Sequence, residues 1–148
     1  MRSARRSVRP GRVLLDSSAY LATINPNDTY HQDARACWSR LNRERWQLFT
    51  TNFVVAETHG LFLVRLGHGP ALAFLRQLPA STTTIVRVSA RDEARGQQII
   101  FQYSDKDFSL TDATSFAVME RLRIGTAFSY DRHFAQYGFA LLRPSARA

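Results

Sequence analysis

SLTDATSFAVMERLRIGTAFSYDRHF, residues Ser109–Phe134, holds a helix start, a whole helix, a glycine stop and a short buried strand in one run. A carboxylate stands at each junction. Asp112 falls in the first turn of the helix, and Asp131 falls just past the strand. Changes of backbone direction are where α/β domains place their chemistry. Each acid also has a purely structural reading. Ser109-Leu-Thr-Asp112 fits a capping box, whose acid reaches back to a free helix N–H. Asp131 fits an N-cap for the DRHFAQYG segment. The choice depends on whether other acids converge on the same place.

Outward from that stretch, the 148 residues fit one domain with a sizeable core. The reading divides the chain into a basic, disordered tail over 1–12, an α/β domain over 13–143 and a short tail over 144–148. No apolar run is long enough to cross a bilayer, and no secretory segment is visible. The one cysteine, Cys37, rules out an internal disulfide or a cysteine-based zinc cluster, and points to a reducing cytoplasm. The formal net charge is +8, and Lys106 is the only lysine, so the excess is arginine. Arginine forks onto phosphate oxygens, and a field of this sign suits a polyanion such as nucleic acid. An acidic protein partner or a solvated surface satisfies the same charge.

Val13-Leu14-Leu15 is a short apolar run ending at Asp16-Ser17-Ser18, the form of a central parallel strand. Asp16 then stands at its carboxyl end, or caps the segment Ala19–Ile24. Asn25–Asn27 is a turn. Apolar Ala34, Cys37, Trp38 and Leu41 predict a helix over Tyr30–Asn42, with His31 as a packing or capping residue. Gln47–Thr50 is a second strand, and Thr51 or Asn52 caps a helix from Phe53 to about Leu66. Its apolar stripe is read as Phe53, Ala56, Gly60, Leu61 and Val64, with Glu57 inside it. A carboxylate on an inward face demands a cation, a metal or hydrogen-bond donors.

Pro70 is expected at the first position of a helix running to Leu78, and Thr83–Val88 as a third strand. Ser89 caps a helix from Ala90 to about Tyr103, in which Asp92 and Glu93 serve only the helix dipole. A helix from Asp112 to Ile124 ends on Gly125 as its stop. Thr126–Tyr130 is the fourth strand, and Phe139–Leu142 the last. Alternating strands and helices predict a three-layer α/β/α sandwich around a mainly parallel sheet of about five strands.

In such a sheet, strand ends and helix starts share one edge, so Asp16, Glu57, Asp112 and Asp131 can converge. Unneutralised, the four would repel one another. A hard divalent cation, Mg2+ or Mn2+, resolves this, and no His/Cys cluster speaks for zinc. Such a cation beside a phosphodiester polarises the phosphoryl oxygen and activates water. No P-loop or GxGxxG arrangement competes.

The segments VLLDSSAYLA, YHQDARACW, TNFVVAETHGLF, FSLTDATSFAVMERLRI and AFSYDRHFAQYGF resemble, in order, those of the PIN-domain family, and most closely its VapC-type toxins. The resemblance runs from about Val13 to Phe139. It implies a PIN-like fold and an Mg2+-dependent endoribonuclease, the toxin of a type II toxin–antitoxin pair. By matching position, its catalytic and metal-binding acids are Asp16, Glu57, Asp112 and Asp131. It also implies an RNA substrate, a homodimer and a cognate VapB-type antitoxin. The arginine-rich N-terminal extension departs from the family. Two other classes remain open on the residues themselves: a non-catalytic nucleic-acid- or partner-binding module of the same fold, and a phospho-acceptor domain with Asp16 as nucleophile.

Overall fold

A computed structural model describes residues 11–145, so most of both expected tails lies outside the described residues. Arg12, placed in the tail by the sequence reading, is instead the first residue of strand β1 (Arg12–Leu15). Its guanidinium lies 4.8 Å from the centroid of the Phe49 ring, which holds it against the sheet. The chain continues through α1 (Ser17–Ile24), α2 (His31–Arg43), β2 (Gln47–Thr51), α3 (Asn52–Arg65) and α4 (His68–Gln77). A single 3-10 turn then leads to β3 (Thr84–Val86), α5 (Ala90–Gln102), α6 (Leu110–Leu122), β4 (Thr126–Phe128), α7 (His133–Tyr137) and β5 (Ala140–Leu141).

The five strands lie in the order β3-β2-β1-β4-β5, every pairing parallel. The three-layer reading of the sequence is correct, and the alternation within β1 shows why. Val13 and Leu15 pack with Tyr20, Ala34, Cys37, Phe62 and Phe74 of α1–α4 on one face. Leu14 packs with Ile99, Phe116, Met119 and Phe134 of α5–α7 on the other. A strand covered on both faces has no room for a polar residue until it ends, and β1 ends on Asp16. The chain winds from β1 out to β3, then returns to the far side of β1 as β4. The switch point of the fold therefore lies between the carboxyl ends of β1 and β4, the crevice where open α/β sheets bind ligands.

Several local expectations need correction. The inward residues of α3 are Val54, Thr58 and Phe62, whereas Ala56, Glu57, Gly60 and Val64 face solvent. Of the stripe read as core, Phe53 is half-buried and Leu61 packs on the core, but Val64 is 83% exposed. Thr51 caps the helix, accepting from Val54 N at 3.1 Å, and the inward Thr58 satisfies its hydroxyl on the Val54 carbonyl. Asp92 does more than face a dipole: it is buried, closes a capping box with Ser89 and accepts a two-pronged bond from Arg121 of α6. Helix α6 ends on Arg123 in the left-handed region (φ 56°), so Gly125 is not its stop. Helix α4 starts at His68, after Gly67 at φ 93°, which puts Pro70 third.

Strands β3, β4 and β5 are shorter than expected. Beyond β3, Val88 N turns to Asn52 Oδ1 at 2.7 Å. Beyond β4, the Ser129 hydroxyl accepts from Asp131 N at 3.0 Å and bends the chain away.

Candidate active site

The backbone of Asp16 extends the β1–β4 ladder, its N–H donating to Phe128 O at 3.1 Å. Its carboxylate is 4% exposed, and Oδ2 accepts from Ser18 Oγ and Ser129 Oγ, both at 2.9 Å. Burial pushes this carboxyl up to about 6. The two hydroxyl donors work against the rise, and the charges of Asp112 and Glu57 add to it.

Asp112 sits in the first turn of α6, and the capping box is present: Ser109 N donates to its Oδ2 at 3.1 Å and Ser109 Oγ accepts from Asp112 N at 3.0 Å. The cap fixes the carboxylate's aim as well as the helix start. The same Oδ2 accepts from His133 Nδ1–H at 2.8 Å. That nitrogen lies 3.2 Å from Asp131 Oδ1, so the ring bridges two carboxylates. With carboxylates on that side, Nδ1 carries the hydrogen. Phe108 closes on the ring in a T-shaped contact at 5.5 Å, and Phe134, fully buried, anchors the next residue.

Asp131 lies past β4 and accepts from His133 N at 2.9 Å. It holds the first turn of α7 from outside, since Arg132 takes the cap position. Glu57 stands at the mouth of the cluster. Its side chain is exposed, contrary to the inward-facing expectation, but Ser17 Oγ donates to its Oε1 at 3.0 Å. Partial loss of water raises its carboxyl, the Ser17 bond opposes this, and Asp112 and Asp131 raise it further.

The structure therefore brings all four acids into one electrostatic neighbourhood, though not equally. Ligand atoms of Asp112, Asp131 and His133 lie within 4.8 Å of one another, a group whose side chains could hold a metal ion. Asp16 joins through hydroxyls. Ser129 Oγ donates to Asp16 and accepts from the Asp131 backbone, tying the two strand ends together.

Sequence reasoning missed His133 and the three serines. The signal was present as adjacency. Ser17 and Ser18 follow Asp16 directly, and each serves a different acid. His133 is two residues from Asp131. His31, set aside as structural, meets the Ala22 carbonyl at 2.8 Å.

No family model matches the chain. Among individual proteins, it is 30% identical over 132 residues to the 23S rRNA-specific endonuclease VapC20 of Mycobacterium tuberculosis, spanning 89% of this chain and 98% of that one. Ribonuclease VapC26 of the same species is 26% identical over 132 residues, covering 89% and 93%. The crystal structure of VapC20, a sarcin-ricin-loop-cleaving toxin, superposes with a TM-score of 0.83 over 89% of this chain and 99% of that one. FitAcB of Neisseria gonorrhoeae, at 18% identity and a TM-score of 0.63 over 89% and 97%, shares the fold. By its sequence and its fold alike, this chain belongs to the PIN-domain VapC toxin family.

Proposed function

We propose that the chain is the toxin of a type II toxin–antitoxin pair, a ribonuclease that hydrolyses RNA phosphodiester bonds with Mg2+ or Mn2+ held by Asp16, Glu57, Asp112 and Asp131. The observation that carries this is the convergence of acids from β1, α3, α6 and the β4–α7 turn on the switch point of the sheet. Asp112 and Asp131 supply neighbouring carboxylate oxygens, with His133 Nδ1 between them. Burial raises the Asp16 carboxyl to about 6, and a bound cation would favour its ionised form. Glu57 at the mouth is the acid best placed to accept a proton from incoming water. The bound cation would polarise the phosphoryl oxygen and lower the pKa of the attacking water. No residue here is placed as a covalent nucleophile, and water attacks the phosphorus directly.

The arginine excess supports a polyanionic substrate. Since the relative VapC20 acts on 23S rRNA, that RNA is the first to test. A cognate VapB-type antitoxin is the proposed partner, and the cytoplasm the proposed setting. Among the described residues no helix is long and apolar enough to cross a membrane. The solvent-facing stripe of α3, with Ala56, Gly60, Leu63 and Val64 along one side, supports a homodimer.

The test is incubation of antitoxin-free protein with total RNA, in Mg2+ or Mn2+ and in EDTA, with sequencing of new ends. Cleavage in metal alone supports the reading. Binding without cleavage in any metal favours the non-catalytic module.

A further inference from the structure

Next to the acid cluster lies an open cleft of about 520 Å3 that shares Asp131 with it as a wall. Tyr30, Asp33, Tyr130, Arg132 and Arg143 are among its other lining residues. Two rings dominate it. Tyr30 and Tyr130 are stacked face to face, centroids 4.5 Å apart and planes 9° from parallel.

Tyr130 is the fixed plate. Its hydroxyl donates to Asp33 Oδ1, its N–H to Ser18 Oγ at 2.9 Å, and its edge packs on Phe128. Tyr30 is the outer plate, held by its backbone N–H on Asp28 Oδ1 at 2.9 Å, yet it is 49% exposed. One face is covered by Tyr130, so that exposure belongs to the opposite face and the edges. A half-exposed aromatic ring thus lines the cleft that shares Asp131 with the acid cluster. Arg132 and Arg143, both exposed, make no ion pair among the described residues, so they remain available to phosphates.

We propose that this cleft is a nucleobase subsite, in which an unstacked RNA base beside the scissile phosphate lies on the outer face of Tyr30, with Arg132 and Arg143 on the flanking phosphates. The proposal rests on the ribonuclease reading for its direction, since Asp131 then fixes where the phosphate lies. Single-stranded RNA is recognised by stacking splayed bases on aromatic rings and pairing the backbone with arginine. A third parallel plane on an existing pair of planes is the occupant this geometry fits.

The test reads binding rather than cleavage. Single-stranded octaribonucleotides of mixed sequence, each with 2-aminopurine at one position, are titrated with the full-length protein in EDTA at fixed low salt. Quenching at one position in the wild type is expected. Tyr30→Ala should remove the quench and weaken binding about ten-fold or more, while Tyr30→Trp retains both. An abasic residue at the quenched position should weaken wild-type binding as much as Tyr30→Ala does, and the two losses should not add.

Wild-type binding without quenching at any position, or a Tyr30→Ala protein that binds and quenches like wild type, overturns the subsite. So does a Tyr30→Ala protein that keeps its RNA affinity but no longer copurifies with antitoxin from the native gene pair, since the cleft then serves a protein. The quench pattern in a protein that cleaves nothing in Mg2+ or Mn2+ supports the subsite and removes only the nuclease reading.

Discussion

Ser129 gives its hydroxyl hydrogen to Asp16 Oδ2 at 2.9 Å, and through that bond the end of β4 sets the carboxylate at the end of β1. Ser129 Oγ in turn accepts from the Asp131 backbone N–H, so one hydroxyl positions two of the four acids. Ser129→Ala removes both bonds. Outer-shell partners of this kind are worth about 10- to 100-fold in metal affinity or activity. The expected outcome is a loss of that size at neutral pH, recovered in part by excess Mn2+. Metal titration by calorimetry alongside a cleavage assay checks it, and wild-type behaviour in both would contradict the positioning role.

The buried carboxyl of Asp16 makes metal-free stability depend on pH. Its value rises from the ordinary 3.8 to about 6 in the folded chain. Between those values the folded protein keeps a proton that the unfolded chain has lost. The stabilisation is therefore complete below pH 3.8 and is lost as the pH climbs through 6. Asp16→Asn should flatten this dependence, gaining roughly 3 kcal/mol on wild type between acid and neutral pH in EDTA. Urea unfolding across that range measures it. Parallel curves for the two proteins would show that the carboxyl is not held protonated.

Away from the site, the Asp92–Arg121 fork joins the start of α5 to the end of α6, with bonds of 2.9 and 2.8 Å to an almost fully buried carboxylate. Arg121→Ala leaves that carboxylate unpaired, and Asp92→Ala also removes a helix cap. Each should cost roughly 2–4 kcal/mol, and the double variant less than the sum. Denaturant midpoints decide this, with full cleavage activity expected at low temperature.

Val64 is 83% exposed on the apolar side of α3. Val64→Glu should leave a folded protein of half the wild-type solution mass by light scattering. A wild-type chain that is already monomeric would remove the homodimer from the account.

How much the sequence disclosed differs between elements. The central strand was legible because Val13–Leu15 is a short apolar run with a turn signal behind it, and the start of α6 because Ser109–Asp112 is a capping box that the structure forms as expected. Helix α3 was legible in its extent and its Thr51 cap, but not in the face it turns inward. Its outward stripe is apolar and its inward face carries a threonine, so periodicity pointed to the wrong side. Glu57 was singled out on the premise that it is buried, while its actual tie is to Ser17. His133 was hidden because a lone histidine carries no period or spacing. Only the fold reveals that two carboxylates meet its Nδ1.

The central claim is that acids at the switch point hold a cation and thereby cut RNA. The direct measurement is cleavage of RNA by purified wild type, Asp16→Asn and Asp112→Asn in the same Mg2+ or Mn2+ buffer, with each variant shown to be folded. The account predicts cleavage by wild type that EDTA stops, and none above background by either variant. Undiminished cleavage by both variants would contradict it.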